Sequence, residues 1–195
     1  MNIYIDFDDT ITQSIENVVR IVNKRYNKNV RPEDVGEWDF SDVYPNIPLQ
    51  DIVKIFGEDE FFNTLRLKLG ALFTIARYSK YNDIYIVSKV DNNALAKKDA
   101  YIKDHIIGEK GHIKFIGVPL GKSKGIIDMS TGIMIDDNAN FLKETNAKYK
   151  ILFKNNRKFD KTQNWDGLVV TDWLELDEML FNIISTEKGY VNGKI

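Results

Sequence analysis

Three carboxylates, Asp6, Asp8 and Asp9, follow directly on the apolar run NIYI at 2–5. Side chains two positions apart on an extended backbone point the same way, so Asp6 and Asp8 can face one reacting group while Phe7 turns inward. Acids gathered at the end of a buried strand repel one another, and a bound cation is the usual compensation. A second acidic pair, Asp136 and Asp137 in IDDN, closes another apolar run, and Ser88 closes a third. Before the IDDN run lies GKSKGIID, with Lys122 and Lys124 as alternative cations for the same rim; SKGIID favours Lys124 by setting it at the opening of a short helix. Singly, each motif is an ordinary turn or cap, and only their joint order points to chemistry.

The elements that must position these residues are legible as short aliphatic runs at 2–5, 83–88, 113–118, 132–136 and 150–153. Their alternation is weak, as expected of strands buried on both faces. Helical patterns separate them. Leu95, Ile102 and Ile106 are spaced to share one face of a helix over 92–106, and Phe141 and Leu142 follow a cap at Asn138. Leu176, Met179, Leu180, Ile183 and Ile184 mark a closing helix capped by Asp172. Alternating strands and helices predict a doubly wound, mostly parallel α/β sheet, whose chemistry gathers at the carboxyl ends of the strands. The interval 12–77 breaks the alternation: it carries an amphipathic helix marked by Ile15, Val18, Val19, Val22 and Tyr26, further helical fragments and no convincing strand. It reads as a small helical cap inserted after the first strand of a single domain over 1–195.

D-x-D-x-T at 6–10, the strand-terminal Ser88, Lys124 and IDDN at 135–138 resemble, in this order, the four motifs of the haloacid dehalogenase (HAD) superfamily of phosphohydrolases. Within it the chain resembles the 5'(3')-deoxyribonucleotidase group, in EWDFSDV at 37–43, FF at 61–62, and ILFKNNRKF followed by DWLEL. The resemblance implies a HAD-like Rossmannoid fold and a Mg2+-dependent phosphomonoesterase acting on a small phosphorylated metabolite, a nucleoside monophosphate above all. It implies Asp6 as nucleophile through an aspartyl-phosphate, Asp8 as general acid and base, and Ser88 with Lys124 on the phosphate. Asp6, Asp136 and the Asp8 backbone carbonyl would hold the metal, a set of hard oxygen donors that suits Mg2+ on chemical grounds as well. Asp137 would pair with Lys124 or support the metal from behind, and Thr10 would fix the turn. A homodimer is compatible with the resemblance. Where the group often has Thr-Ser, this chain has Ser88 and Lys89; the extra cation could tighten phosphate binding, favour a substrate with more than one phosphate, or point to water.

Trp38, Phe61 and Phe62 could stack on a base or form the insert's own small core. His105 and His112 lack partner spacing and read as surface or capping residues. With 27 basic and 29 acidic residues the net charge is -2, so the totals imply no basic face and no stable nucleic-acid binding. Cysteine is absent, which excludes disulfides and thiolate metal sites. No apolar run approaches the roughly 18 to 20 residues of a membrane helix, and a soluble, cytoplasmic protein is the expectation. Competing functions keep the same residues with other substrates, such as nucleic-acid 3'-phosphate ends or a sugar phosphate. A phosphorylatable receiver module would place its aspartate after an internal strand instead.

Overall fold

The computed structural model describes residues 1–106, 108 and 111–189. Six strands, β1 (Ile3–Asp6), β2 (Ile84–Val90), β3 (Ile113–Pro119), β4 (Ile133–Asp136), β5 (Tyr149–Phe153) and β6 (Leu168–Val170), form one parallel sheet in the order β3-β2-β1-β4-β5-β6. β1 lies in the middle. Its Ile3 and Ile5 register with Ile84 and Ile86 of β2 on one side and with Ile133 and Ile135 of β4 on the other. Successive side chains leave opposite faces, so Ile3, Ile5, Ile84, Ile86 and Ile135 join one apolar cluster, while Tyr4, Val87, Met134 and Leu152 join another. Covering both faces is what permits a parallel sheet with near-continuous hydrophobic strands.

The five strands read from sequence are present within two residues at each end. β6 escaped because it has only three residues, two of them exposed, at the sheet edge. Helices α5 (Asn92–His105), α6 (Ala139–Glu144), α7 (Lys158–Thr162) and α8 (Trp173–Glu187) follow β2, β4, β5 and β6. Asn138 caps α6 by accepting from the Asn140 and Phe141 amides, and Asp172 caps α8 in the same way from Leu174 and Glu175. The α5 face departs from expectation. Leu95 is exposed, and the buried stripe is Ala94, Lys98, Tyr101 and Ile102.

The interval between β1 and β2 holds α1 (Ser14–Tyr26), α2 (Leu49–Ile55), α3 (Asp59–Thr64) and α4 (Ala71–Ser79), with a lone antiparallel bridge between Thr12 and Leu67. α1 packs against α2 and α3, whereas α4 lies against β2 and α8. The apolar residues of the insert, including Phe40, Tyr44, Ile52, Ile55 and Phe61, are continuous with the larger sheet cluster. Among the described residues no helix is long and apolar enough to cross a membrane.

Candidate active site

The carboxyl end of β1 passes into a tight turn, Phe7–Ile11, before α1 begins at Ser14. Within it Asp8 keeps an extended backbone and Asp9 adopts φ 61°, ψ -1°, the left-handed region. Thr12 closes the turn with its amide and hydroxyl, both donating to the Phe7 carbonyl at 3.2 and 3.0 Å. Asp9 is fully buried; its carboxylate accepts from the Ile15 amide and is paired with the Arg157 guanidinium, while its carbonyl accepts from Asn155. The Thr10 carbonyl accepts from the Trp173 indole at 3.0 Å, and among the described residues the buried Thr10 hydroxyl has no partner. Turn and C-terminal segment therefore hold each other in place.

Asp6 and Asp136, at the ends of neighbouring strands, are bridged by Lys124: its ammonium donates to Asp6 Oδ1 and, at 2.6 Å, to Asp136 Oδ2. Lys124 is completely buried and Lys122 is exposed, so the ammonium on this rim comes from Lys124. The helix expected there is a single 3-10 turn, Lys124–Ile126, capped by the Ser123 hydroxyl. A Cβ at Gly125 would collide with the Glu144 carbonyl, so glycine allows the turn to press against α6 and push Lys124 inward. Asp137 also reaches the rim but does not pair with Lys124, and among the described residues its carboxylate has no hydrogen-bond partner.

Asp8 faces a separate set of groups. Its Oδ1 accepts from the Ser14 hydroxyl at 2.9 Å; its Oδ2 accepts from the Ser88 hydroxyl at 3.1 Å and from the Lys98 ammonium, which also donates to Ser88 Oγ at 2.9 Å. Lys98 was not found by sequence reasoning, although its spacing with Ala94 and Ile102 places it on the inward stripe of α5. Arg157 and Asn155 were missed too, and nothing local to them signals that they meet the Asp9 turn.

Burial sets the electrostatics. It pushes the Asp6 carboxyl up to about 7, opposed by Lys124 and reinforced by Asp136 and Asp8. Burial also raises Asp136 and, well above the usual range, Asp137, which feels Asp6 and Asp136 as like charges. Lys124 sits above its ordinary value because Asp136 and Asp6 outweigh burial, which by itself disfavours its charge. Three buried acids thus gather around the Lys124 ammonium, with Lys89 acting on Asp136 and Lys68 on Asp137 from farther away. Among the described residues no three acidic, imidazole or thiolate side chains are gathered closely enough to hold an ion unaided. Two carboxylates and a carbonyl with surplus negative charge nonetheless suit Mg2+, which keeps waters and takes substrate oxygens for the rest.

A cavity of about 250 Å3 opens over this rim, lined by Asp6, Asp8, Asp137, Lys89 and Lys98, and walled by Trp38, Phe40, Phe56 and Phe141. Phe61 and Phe62 are not part of the wall. Phe61 is fully buried against Phe56 and Phe62, and Phe62 packs toward Tyr101, so both serve the core. Trp38 does line the cavity, edge-on to Phe159.

Sheet order, acid-bearing strand ends and buried lysine together define a hydrolase of the HAD superfamily. Solved structures of the same fold include a HAD-like hydrolase from Streptococcus pneumoniae (TM-score 0.57, 12% identity, 92% of this chain and 97% of that one). Others are a HAD hydrolase from Bacillus subtilis bound to magnesium (0.53, 11%, 92% and 97%) and one from Deinococcus radiodurans with bound phosphate and sodium (0.55, 14%, 93% and 95%). Over residues 1–185 the chain belongs to the family described as 5' nucleotidase, deoxy (pyrimidine), cytosolic type C protein (NT5C). Comparison with curated proteins gives no match.

Proposed function

We propose that the protein is a Mg2+-dependent phosphomonoesterase that dephosphorylates (deoxy)nucleoside monophosphates, with residues 12–77 as the cap over its site. Family membership supports the nucleotide, and one observation carries the chemistry: Lys124 joins the carboxylates of β1 and β4 while Asp8, two residues beyond Asp6, meets Ser88 near the end of β2.

Asp6 attacks phosphorus in line, the bond to the ester oxygen breaks, and an aspartyl-phosphate forms. Asp8 gives its proton to the departing alkoxide and then takes one from the water that hydrolyses the aspartyl-phosphate. Lys124 and Ser88 hold equatorial oxygens, which is where phosphoryl transfer is most sensitive to positioning and charge. Ser88 now donates to Asp8, so an arriving phosphate oxygen takes over that proton. A Mg2+ ion held by Asp6, Asp136 and the Asp8 carbonyl would neutralise charge on the transferred group. Asp9, Arg157 and Thr10 keep the turn fixed. The insert residues Trp38, Phe40, Val53 and Phe56 enclose the cavity on one side, which favours a mononucleotide over a polynucleotide end.

The test is phosphate release from 5'- and 3'-monophosphates, ribo and deoxy, with sugar phosphates and a 3'-phosphorylated DNA end as comparators, with and without EDTA. Mononucleotides should be turned over best, and chelation should stop turnover. Preference for the DNA end, or full activity in EDTA, overturns the proposal.

A further inference from the structure

Three lysines surround the cavity and its rim, and two are already neutralised: Lys98 by Asp8, and Lys124 by Asp6 and Asp136. Lys89 is different. Among the described residues its ammonium has no ion pair or hydrogen bond, yet it is half-buried and lies 4.4 Å from the centre of the Phe141 ring. Lys124 lies 5.2 Å from the same centre, so both ammoniums gather around one aromatic side chain. The ring face stabilises a cation without neutralising it; Lys89 acts on Asp136 only through space and, among the described residues, touches no carboxylate, so the ammonium is held in position with its hydrogen-bonding capacity unused.

The strand geometry separates Lys89 from Ser88. Ser88 leaves β2 on the face of Ile84 and Ile86, toward Asp8 and Lys98; Lys89 leaves on the face of Val87, toward α6. Ser88 thus serves the reacting phosphate, and Lys89 lines the cavity with Phe141, Leu120 and the insert's aromatic residues. The scissile phosphate has Lys124 and Ser88 to meet it. A further unpaired cation on the neighbouring wall is placed for a second anionic group, and a lysine ammonium suits a phosphate as a point charge.

We propose that Lys89 is a specificity-determining residue that binds a second phosphate on the sugar of the substrate, making nucleoside 3',5'-bisphosphates preferred over nucleoside monophosphates. The inference rests on the phosphatase reading above.

The test compares kcat/KM for a nucleoside 5'-monophosphate and the corresponding 3',5'-bisphosphate in the wild type, Lys89→Gln and Lys89→Arg. Calorimetric binding of both ligands to Asp6→Asn, with and without Lys89→Gln, runs in parallel. The wild type should favour the bisphosphate roughly ten- to hundredfold, the range of one hydrogen bond between charged groups. That ratio should collapse toward one in Lys89→Gln and recover in Lys89→Arg. An unchanged ratio overturns the inference, and so does an equal loss for both substrates, which would put Lys89 on the scissile phosphate. Preference for a nucleoside 5'-diphosphate over the bisphosphate overturns it as well. If no ester is turned over, the phosphatase reading fails, and binding still decides this one: bisphosphate selectivity lost in Lys89→Gln supports it, and its absence overturns it.

Discussion

Replacing Asp6 by Asn should abolish turnover and, in metal-free buffer at alkaline pH, make the protein more stable. Asn keeps the shape of the side chain and an oxygen for Lys124, but it never carries charge. Asp6 has an ordinary value of 3.8 and rises to about 7 in the fold, chiefly through burial. Between these values the folded protein holds a proton that the unfolded chain has released, so wild-type stability falls as pH rises and the loss is complete only above pH 7. Its full size is about 4 kcal/mol, an upper figure because Asp136 and Asp137 titrate with it. The advantage of Asp6→Asn over wild type should therefore grow by about 3 kcal/mol between about pH 5 and pH 8. For a chain of this length that corresponds to a widening of the gap in Tm on the order of 10 °C. Urea unfolding in EDTA at both pH values measures it. A variant less stable than wild type at pH 8, or one whose gain is the same at both, refutes the electrostatic reasoning. Added Mg2+ should narrow the gap, because an ion that binds only the folded wild type stabilises it by mass action.

Lys98→Met removes the ammonium between Asp8 and Ser88, and kcat should fall about a hundredfold with KM little changed; steady-state kinetics with an unaltered kcat would sink the positioning role. Arg157→Met strands the buried Asp9 carboxylate and should destabilise the fold by about 3–5 kcal/mol. A shift in the urea midpoint worth less than about 1 kcal/mol contradicts that account. Phe61→Ala should cost about 3–5 kcal/mol of stability with KM unmoved, whereas Trp38→Ala should raise KM with little loss of stability. Thermal melts paired with kinetics distinguish the two, and the reverse pattern would return Phe61 to the substrate wall.

What could be read from sequence is what local pattern encodes. Asp6, Ser88 and Asp136 each end an aliphatic run, and a parallel sheet carries all such ends to one edge. Lys98 was hidden by its chemistry: a lysine on an amphipathic helix reads as solvated, and Leu95 drew the predicted stripe to the wrong side. Arg157 lies 148 residues from Asp9, and neither residue's neighbours announce the pairing. For the aromatics, composition gave the inventory without the direction. Phe40 lines the cavity because a single residue with φ 59° turns the chain there, a fact no periodicity expresses.

The arrangement of lysines bears on how neighbouring aspartates can take different roles. Asp6 and Asp8 are separated by one residue, and on an ordinary strand they would share a face, an environment and the same partners. Here Asp8 belongs to the turn, and each finds its own cation: Lys124 from the 3-10 turn before β4 for Asp6, Lys98 from α5 for Asp8. Asp6 is held in the fully buried triad with Asp136, whereas the Asp8 side chain keeps about a quarter of its surface open to the cavity and to hydroxyl partners at Ser14 and Ser88. In the proposed mechanism Asp6, as nucleophile, needs a fixed trajectory, and Asp8, as proton carrier, needs access to both leaving group and water. The turn pinned by Asp9, Arg157 and Trp173 would produce that division, because with Asp9 in the left-handed region it carries Asp8 to Ser14, Ser88 and Lys98 while Asp6 stays at the strand end with Lys124.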